Sequence, residues 1–165
     1  MGMMRKLMMG CAPGGRTLVN TTTATKNTPI TPPMDFKVGA SYSVSWAGTI
    51  PSSQYFTLFE ISGNSSSSSN ARKCLAQLMY SRLYINFLGT SLYDKTVSAG
   101  DSIALELRFK VNTVSISSPY YTMDVELYVN GTQEVSRTVN VTIKIGDGFS
   151  RYSNAAGTFI IKKLS

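Results

Sequence analysis

The sequence has no histidine and few charged residues. None of its 165 residues is His, and 15% are Asp, Glu, Lys or Arg, against about 25% in an average soluble domain. Without His, the chain lacks the commonest general base and metal ligand. Ser, Thr and Asn must finish the surface instead, and these residues suit strands and turns better than exposed helix faces. The composition therefore favours an all-β protein.

Cysteines and long apolar runs are also scarce. The two cysteines, Cys11 and Cys74, match no Cys-x-x-Cys metal or redox motif. One lies near the N-terminus and the other in a predicted strand, so we predict two separate thiols. The apolar stretch before Cys11 covers only residues 7–10, whereas a signal peptide needs roughly 7 to 15 apolar residues. No stretch approaches transmembrane length, so we expect no membrane partner.

The net charge of +7 is concentrated at the two ends of the chain. Between residues 35 and 150, nine bases balance nine acids. Residues 1–34 contain no acid and four bases, namely Arg5, Lys6, Arg16 and Lys26. Such a segment favours contact with an acidic partner surface, and these four side chains are the predicted contacts to partner subunits. They are too dispersed for a nucleic-acid site, so no nucleic acid is expected.

The N-terminal segment shows no apolar periodicity. Residues 12–35 contain four of the six prolines, two adjacent glycines and a run of Thr and Asn. This composition predicts an extended basic arm over residues 1–35, ending at Pro32 and Pro33, and a separate domain over residues 36–165. An arm of this kind buries little by itself, so we expect it to become ordered against a neighbouring subunit.

From residue 36 onward, apolar residues recur at every second position. Three runs, over 103–111, 123–129 and 135–145, each place apolar residues on one face and polar residues on the other. This alternation is typical of antiparallel sheets that pack on one side. Further strands are predicted over 42–49, 55–62, 75–80, 83–88 and 158–164, with turns at 99–101 and at Asn130-Gly131. About nine strands predict an antiparallel β-sandwich, either a jelly roll or a related fold.

Four of these segments carry a resemblance to a known family. They are Tyr42-Ser43-Val44-Ser45-Trp46, Tyr55 to Ser62, Met123 to Gly131 with its Asn-Gly turn, and Ile143 to Gly148. In their order and turns, they resemble concanavalin A-like (laminin-G-like) jelly rolls over residues 36 to 164. The resemblance implies a fold that often binds carbohydrate, sometimes with calcium, and that includes glycosidases. It involves strands and turns, without a catalytic signature.

The acidic residues do not form an obvious catalytic or metal-binding set. Calcium needs six to eight oxygen ligands, whereas Asp94, Asp101 and Asp147 are isolated in loops. Glu106 and Glu126 lie on strands near Arg108, which predicts cross-strand charge pairing instead of a glycosidase pair. We therefore predict no catalytic residue, no metal and no cofactor.

Aromatic residues provide the remaining candidates for binding. Tyr120 and Tyr121 follow Pro119 in a predicted loop and are candidate glycan or protein contacts. Trp46 continues the apolar face of its strand, so it is predicted to be core, with sugar stacking as the alternative.

These patterns lead to three ranked hypotheses. The first is a non-enzymatic virion structural protein, such as a bacteriophage capsid decoration or head-fibre protein anchored by its arm. Bacteriophage surfaces carry concanavalin A-like sandwiches, so the family resemblance agrees with this role. Its partners would be other virion subunits in a homo-oligomer or multi-copy assembly, and also host-surface glycans. The second hypothesis is a free carbohydrate-binding module, and the third is a glycoside hydrolase or lyase.

Overall fold

Twelve strands form the fold of the described residues. A computed structural model describes residues 15–22, 24–52, 55–63, 73–142, 149–153 and 155–165. The strands are β1 (Arg16–Thr21), β2 (Ala24–Pro29), β3 (Ser41–Thr49), β4 (Tyr55–Gly63), β5 (Lys73–Met79), β6 (Arg82–Phe87), β7 (Thr90–Thr96), β8 (Ser102–Val114), β9 (Tyr121–Val129), β10 (Thr132–Val141), β11 (Phe149–Ser153) and β12 (Gly157–Lys163).

The strands form two six-stranded sheets. The front sheet has the order β1-β12-β3-β8-β9-β10, and the back sheet has the order β2-β11-β4-β5-β6-β7. Every paired neighbour is antiparallel. The predicted fold class, an all-β antiparallel sandwich, is confirmed. Within the described ranges, no helix is long and apolar enough to cross a membrane.

The core lies between the sheets and is built from the alternating apolar positions. Inward side chains of β3, β8, β9 and β12 are buried, and Trp46 is 0% exposed, which confirms its prediction as core. Two glycines make room for its ring, because a Cβ at Gly48 or Gly157 would lie 2.7 or 2.6 Å from ring atoms of Trp46. Cys74 is a free thiol in the same core, and burial raises its pKa.

The two predicted turns are present. Asn130 and Gly131 have φ values of 51° and 80° and connect β9 to β10, as expected for an Asn-Gly hairpin. Gly100, with a φ of 89°, lies in the turn before β8. The predicted strand over 135–145 ends at Val141 in the structure, and residues 143–148 lie outside the described ranges.

The N-terminal segment forms part of the sandwich over residues 16–21 and 24–29. Strand β1 pairs with β12 in the front sheet, and β2 pairs with β11 in the back sheet. Val19, Ile30 and Met34 are buried. The prediction of a separate arm ending at residue 35 is therefore wrong for this stretch. A Thr-rich strand fits an edge position, where few side chains need to be apolar.

A hydrogen-bonded cluster joins the end of this segment to the C-terminal strand. The Tyr42 hydroxyl lies 2.8 Å from Asp35 Oδ1, and the Asp35 amide donates to that hydroxyl over 2.8 Å. Lys163 Nζ lies 3.4 Å from the same carboxylate oxygen. Burial raises the pKa of Tyr42 to about 12, whereas hydrogen bonding by Tyr42 lowers the pKa of Asp35. The cluster fixes residues 30–35 against the front sheet.

Substitutions in β1 test whether this strand belongs to the sandwich. In Val19→Asp, an unpaired carboxylate enters the core, so we expect the free energy of unfolding to fall by about 3–5 kcal/mol. Asn20→Asp adds the same charge at the next, exposed residue and should change it by less than about 0.5 kcal/mol. Urea denaturation measures both. Equal unfolding midpoints would show that β1 is not packed in solution and would restore the free arm.

Candidate functional site

Small side chains line the outer face of β3. Because Tyr42, Val44 and Trp46 point into the core, alternation places Ser41, Ser43, Ser45 and Ala47 on the outside. Ser43 and Ser45 are only 5% and 8% exposed even though they face outward. Glu106 on β8 contributes to this cover, because Ser43 Oγ lies 2.9 Å from its Oε1. We call this strip of the outer face, with β3 as its floor and β8 and β12 at its sides, the β3 groove.

The strands on either side of β3 form the groove walls. Ser43 lies between Arg108 on β8 and Lys162 on β12, and Ser45 lies between Glu106 and Ile160. Neighbouring strands are about 4.8 Å apart, so the two walls stand roughly 10 Å apart at the backbone. The outer floor from Ser41 to Ala47 is roughly 20 Å long at about 3.3 Å per residue. A strip of this width and length has room for an extended, unbranched molecule made of several small cyclic units.

A Glu–Arg pair holds one wall in place. Arg108 donates from Nε to Glu106 Oε1 over 2.8 Å and from its terminal nitrogen to Oε2 over 2.9 Å. Ser43 Oγ donates to the same Oε1 over 2.9 Å. The side chains of Arg108 and Glu106 remain 29% and 23% exposed. This bidentate pair lies within β8 and not across strands as predicted, and it orients both groups beside the groove floor.

The surroundings of Glu106 keep it ionised. Desolvation acts to raise its pKa, but the hydrogen bonds from Arg108 and Ser43 and the charges of Arg108 and Lys162 lower it overall. The same carboxylate raises the pKa of Arg108. At neutral pH, Glu106 and Arg108 therefore form a fixed ion pair whose two charges cancel.

Tyr128 extends this wall toward β9. The Arg108 guanidinium lies 4.6 Å from the centroid of the Tyr128 ring, within the range of a cation–π contact. The Tyr128 hydroxyl donates to Glu126 Oε2 over 3.0 Å. Burial and this hydrogen bond raise the pKa of Tyr128. A half-buried aromatic ring and a planar guanidinium thus lie together beside the groove.

The predicted contact residues lie elsewhere. Tyr121 is 8% exposed and packs edge-on against Phe36 in the core, at 6.2 Å between ring centroids. The prediction of Tyr121 as a surface contact is therefore wrong, because the strand begins at this residue and turns its ring inward. Tyr120 is half-buried against the same core. It is not part of the β3 groove.

The predicted arm contacts have separate outcomes. Arg16 is exposed on β1, at the edge of the front sheet. Lys26 lies on β2, at the edge of the back sheet. Arg5 and Lys6 lie outside the described residues. Partner contacts by any of the four stay a prediction.

Metal ligands do not cluster in the part of the chain that the structure describes. No group of three or more Asp, Glu or Cys side chains there could hold an ion. Asp124, a nearby acid on the same face, is engaged by Thr138, whose hydroxyl donates to its Oδ1 over 2.6 Å. This hydrogen bond contributes most to the lowered pKa of Asp124.

Comparisons with known proteins find similarity to solved structures alone. No known family and no curated protein matches the sequence. The chain is similar to alginate lyase Aly36B, with 12% identity, a TM-score of 0.46, and coverage of 88% of this chain and 77% of that one. It is also similar to alginate lyase AlgAT5 from polysaccharide lyase family 7, with 12% identity, a TM-score of 0.41, and coverage of 76% of this chain and 56% of that one. The chain thus spans little more than half of AlgAT5.

A galectin is also similar. The Caenorhabditis elegans galectin LEC-6 is 11% identical, with a TM-score of 0.40, and the match covers 87% of this chain and 94% of that one. Enzymes and a galectin therefore both occur among the similar structures. At these identities, the likeness concerns the fold alone and assigns no activity to this chain.

The Glu106–Arg108 ion pair should make the free energy of unfolding depend on pH. Folding lowers the pKa of Glu106 below its ordinary 4.5. The ionised carboxylate therefore stabilises the folded state above pH 4.5, and this stabilisation is lost as the pH falls through the pKa of the folded state. We expect Glu106→Gln to lower the free energy of unfolding by about 1–2 kcal/mol at pH 7. Below pH 4.5, the difference from the wild type should narrow.

Asp94→Asn is the matched control, because Asp94 pairs with Arg82 at an exposed site. It should change the unfolding midpoint much less than Glu106→Gln does at pH 7. Denaturant titrations at several pH values measure both variants. A Glu106→Gln difference that stays constant from pH 7 to pH 3 would contradict the described wall.

Proposed function

We propose that this protein is a carbohydrate-binding module and that the β3 groove is its binding site. The observation that carries the proposal is the floor of small, shielded serines beside a preorganised wall of Glu106, Arg108 and Tyr128. A sugar presents both hydroxyl groups and flat C–H faces. The groove offers polar side chains that can hydrogen-bond to the hydroxyl groups. It also offers the partly exposed Tyr128 ring and Arg108 guanidinium, on which a C–H face can stack.

The fixed hydrogen bonds of the wall suit such a ligand. Arg108 is already held by Glu106, and Ser43 by the same carboxylate, so little side-chain entropy is lost on binding. Because the pair compensates its own charge, no charged group of the ligand is needed to balance it. Lys162 on the opposite wall can donate a hydrogen bond to a sugar hydroxyl or attract an acidic sugar.

The same groups favour binding over catalysis. A general acid in a glycosidase needs a raised pKa, whereas the pKa of Glu106 is lowered. A tyrosine base needs a lowered pKa, whereas that of Tyr128 is raised. A lyase or hydrolase function therefore ranks below carbohydrate binding.

A role in a virus particle stays a prediction from the sequence. That hypothesis depends mainly on a free arm, whereas residues 16–21 and 24–29 form strands of the sandwich. A virion location, with capsid or fibre subunits as partners in a multi-copy assembly, would be compatible with a glycan-binding groove. That role would place the groove toward host-surface glycans.

Filling the groove tests the proposal. In Ser45→Tyr, a large side chain stands on the groove floor, so we expect affinity for a saccharide identified on a glycan array to fall by about tenfold or more. Ser91→Tyr makes the same change at an exposed residue of β7 in the other sheet and should leave affinity unchanged. Calorimetric titration measures binding, and thermal unfolding checks that both variants are folded.

Three results would contradict the proposal. The first is an array of neutral and acidic glycans with no binding. The second is equal affinity in the two tyrosine variants. The third is turnover of a bound polysaccharide, detected as new reducing ends, which would replace the binding module with an enzyme.

A further inference from the structure

A second cavity lies at one end of the sandwich. Its volume is about 330 Å³, within the range of small-molecule sites, which starts near 300 Å³. It is formed by the segment after β3, the turn between β5 and β6 and the segment before β8. The lining residues are Ile50, Pro51, Ser52, Tyr80, Ser81, Val97 and Ala99. We call it the end pocket.

Backbone hydrogen bonds hold the end pocket open. The Val97 amide donates to the Ser81 carbonyl over 2.8 Å, which ties the two turns together. The Ile50 amide donates to the Asp101 carbonyl over 2.8 Å, and the Gly100 amide donates to the Ile50 carbonyl over 2.9 Å. Because all three lining segments are bonded to one another or to an adjacent strand end, the pocket is preformed.

Tyr80 occupies an unusual backbone position beside the pocket. Its φ is 55°, in the left-handed region where a residue other than Gly, Asn or Asp costs about 1–2 kcal/mol. Leu88 also has a positive φ, of 46°, but its side chain is 7% exposed and packs in the core. Tyr80 gains no such burial, because it is 61% exposed. Its strained backbone therefore holds an aromatic ring in solvent, next to a cavity.

The Tyr80 ring contacts the ring of Tyr55. The ring centroids are 5.1 Å apart and the planes meet at 61°. Tyr55 is itself 52% exposed, and its hydrogen bond with Tyr80 is the main cause of its raised pKa. This edge-on contact steadies the Tyr80 ring and leaves much of both side chains exposed to solvent.

The chemistry of the lining selects a class of ligand. None of the seven lining residues is charged, so the lining offers no positive charge to balance a phosphate or carboxylate group. Ser52, Ser81 and the tyrosine hydroxyl supply neutral hydrogen-bonding groups, while Ile50, Val97 and Ala99 supply apolar surface. Such a lining matches a ring with hydroxyl groups at its edge and an apolar face.

We propose that the end pocket binds a single neutral pyranose unit, stacked on Tyr80. This site is distinct from the β3 groove, because its lining comes from three loops at the end of the sandwich and includes none of the groove residues. It would let the protein hold a terminal sugar independently of a longer chain along β3.

The test uses the full chain, labelled with ¹⁵N, and three probes: glucose, galactose and N-acetylglucosamine. We expect one or more of them to shift the amide signals of Ser52, Ser81, Val97 and Ala99. Tyr80→Ala should weaken this binding by about tenfold, and Tyr80→Phe, which keeps the ring, by much less. Ile116→Ala is the control, because Ile116 is a fully exposed apolar residue in a different loop.

Several outcomes would overturn the end-pocket proposal. They are unmoved pocket signals with all three sugars, equal weakening in Tyr80→Ala and Ile116→Ala, and equal or stronger binding of glucuronate, whose charge the lining does not match. Ser45→Tyr separates this proposal from the groove, since it blocks β3 and should leave monosaccharide shifts at the end pocket intact. The two binding sites are therefore tested separately, and a negative result at one does not decide the other.

Discussion

The structure depends on the position of β12 between β1 and β3. This one strand hydrogen-bonds to both neighbours, so the two ends of the chain complete the front sheet together. It also fixes the groove, because Ile160 and Lys162 on its outer side face Ser45 and Ser43. Without β12, the β3 serines would be exposed at a sheet edge. The binding surface is thus a consequence of long-range strand pairing.

The sequence predicted the fold class because eight of the strands carry clear signals. Inward residues of β8 and β9 alternate with polar ones, and the Asn130-Gly131 turn fixes the hairpin that follows. The missed strands, β1, β2, β7 and β11, lack such a signal. In β7, for example, only Leu92 is buried, because the strand lies at the edge of the back sheet and has one packed position. Three of the missed strands, β1, β2 and β7, lie at sheet edges, where few apolar residues are needed and periodicity is weak.

The candidate site could be predicted only in part. Alternation places Ser43, Ser45, Glu106 and Arg108 on outer faces. Charge pairing of Glu106 was expected across strands, whereas its partner Arg108 lies on the same strand. What the sequence did not show is that β3 and β8 are neighbours, which brings Ser43 within 2.9 Å of Glu106. The two strands are about 60 residues apart in the chain, and no local pattern encodes that pairing. Tyr121 was misjudged for a related reason, since a residue after a Pro-containing loop looked exposed until its strand was known.

We propose that a saccharide lies along β3, over the shielded serines. The most direct measurement is a crystal structure of the protein with an oligosaccharide chosen from a glycan array. We expect sugar rings in the β3 groove, in contact with Ser43 or Ser45 and with the side chains of Arg108 and Tyr128. An oligosaccharide bound only at another surface, with the groove occupied by solvent, would contradict it.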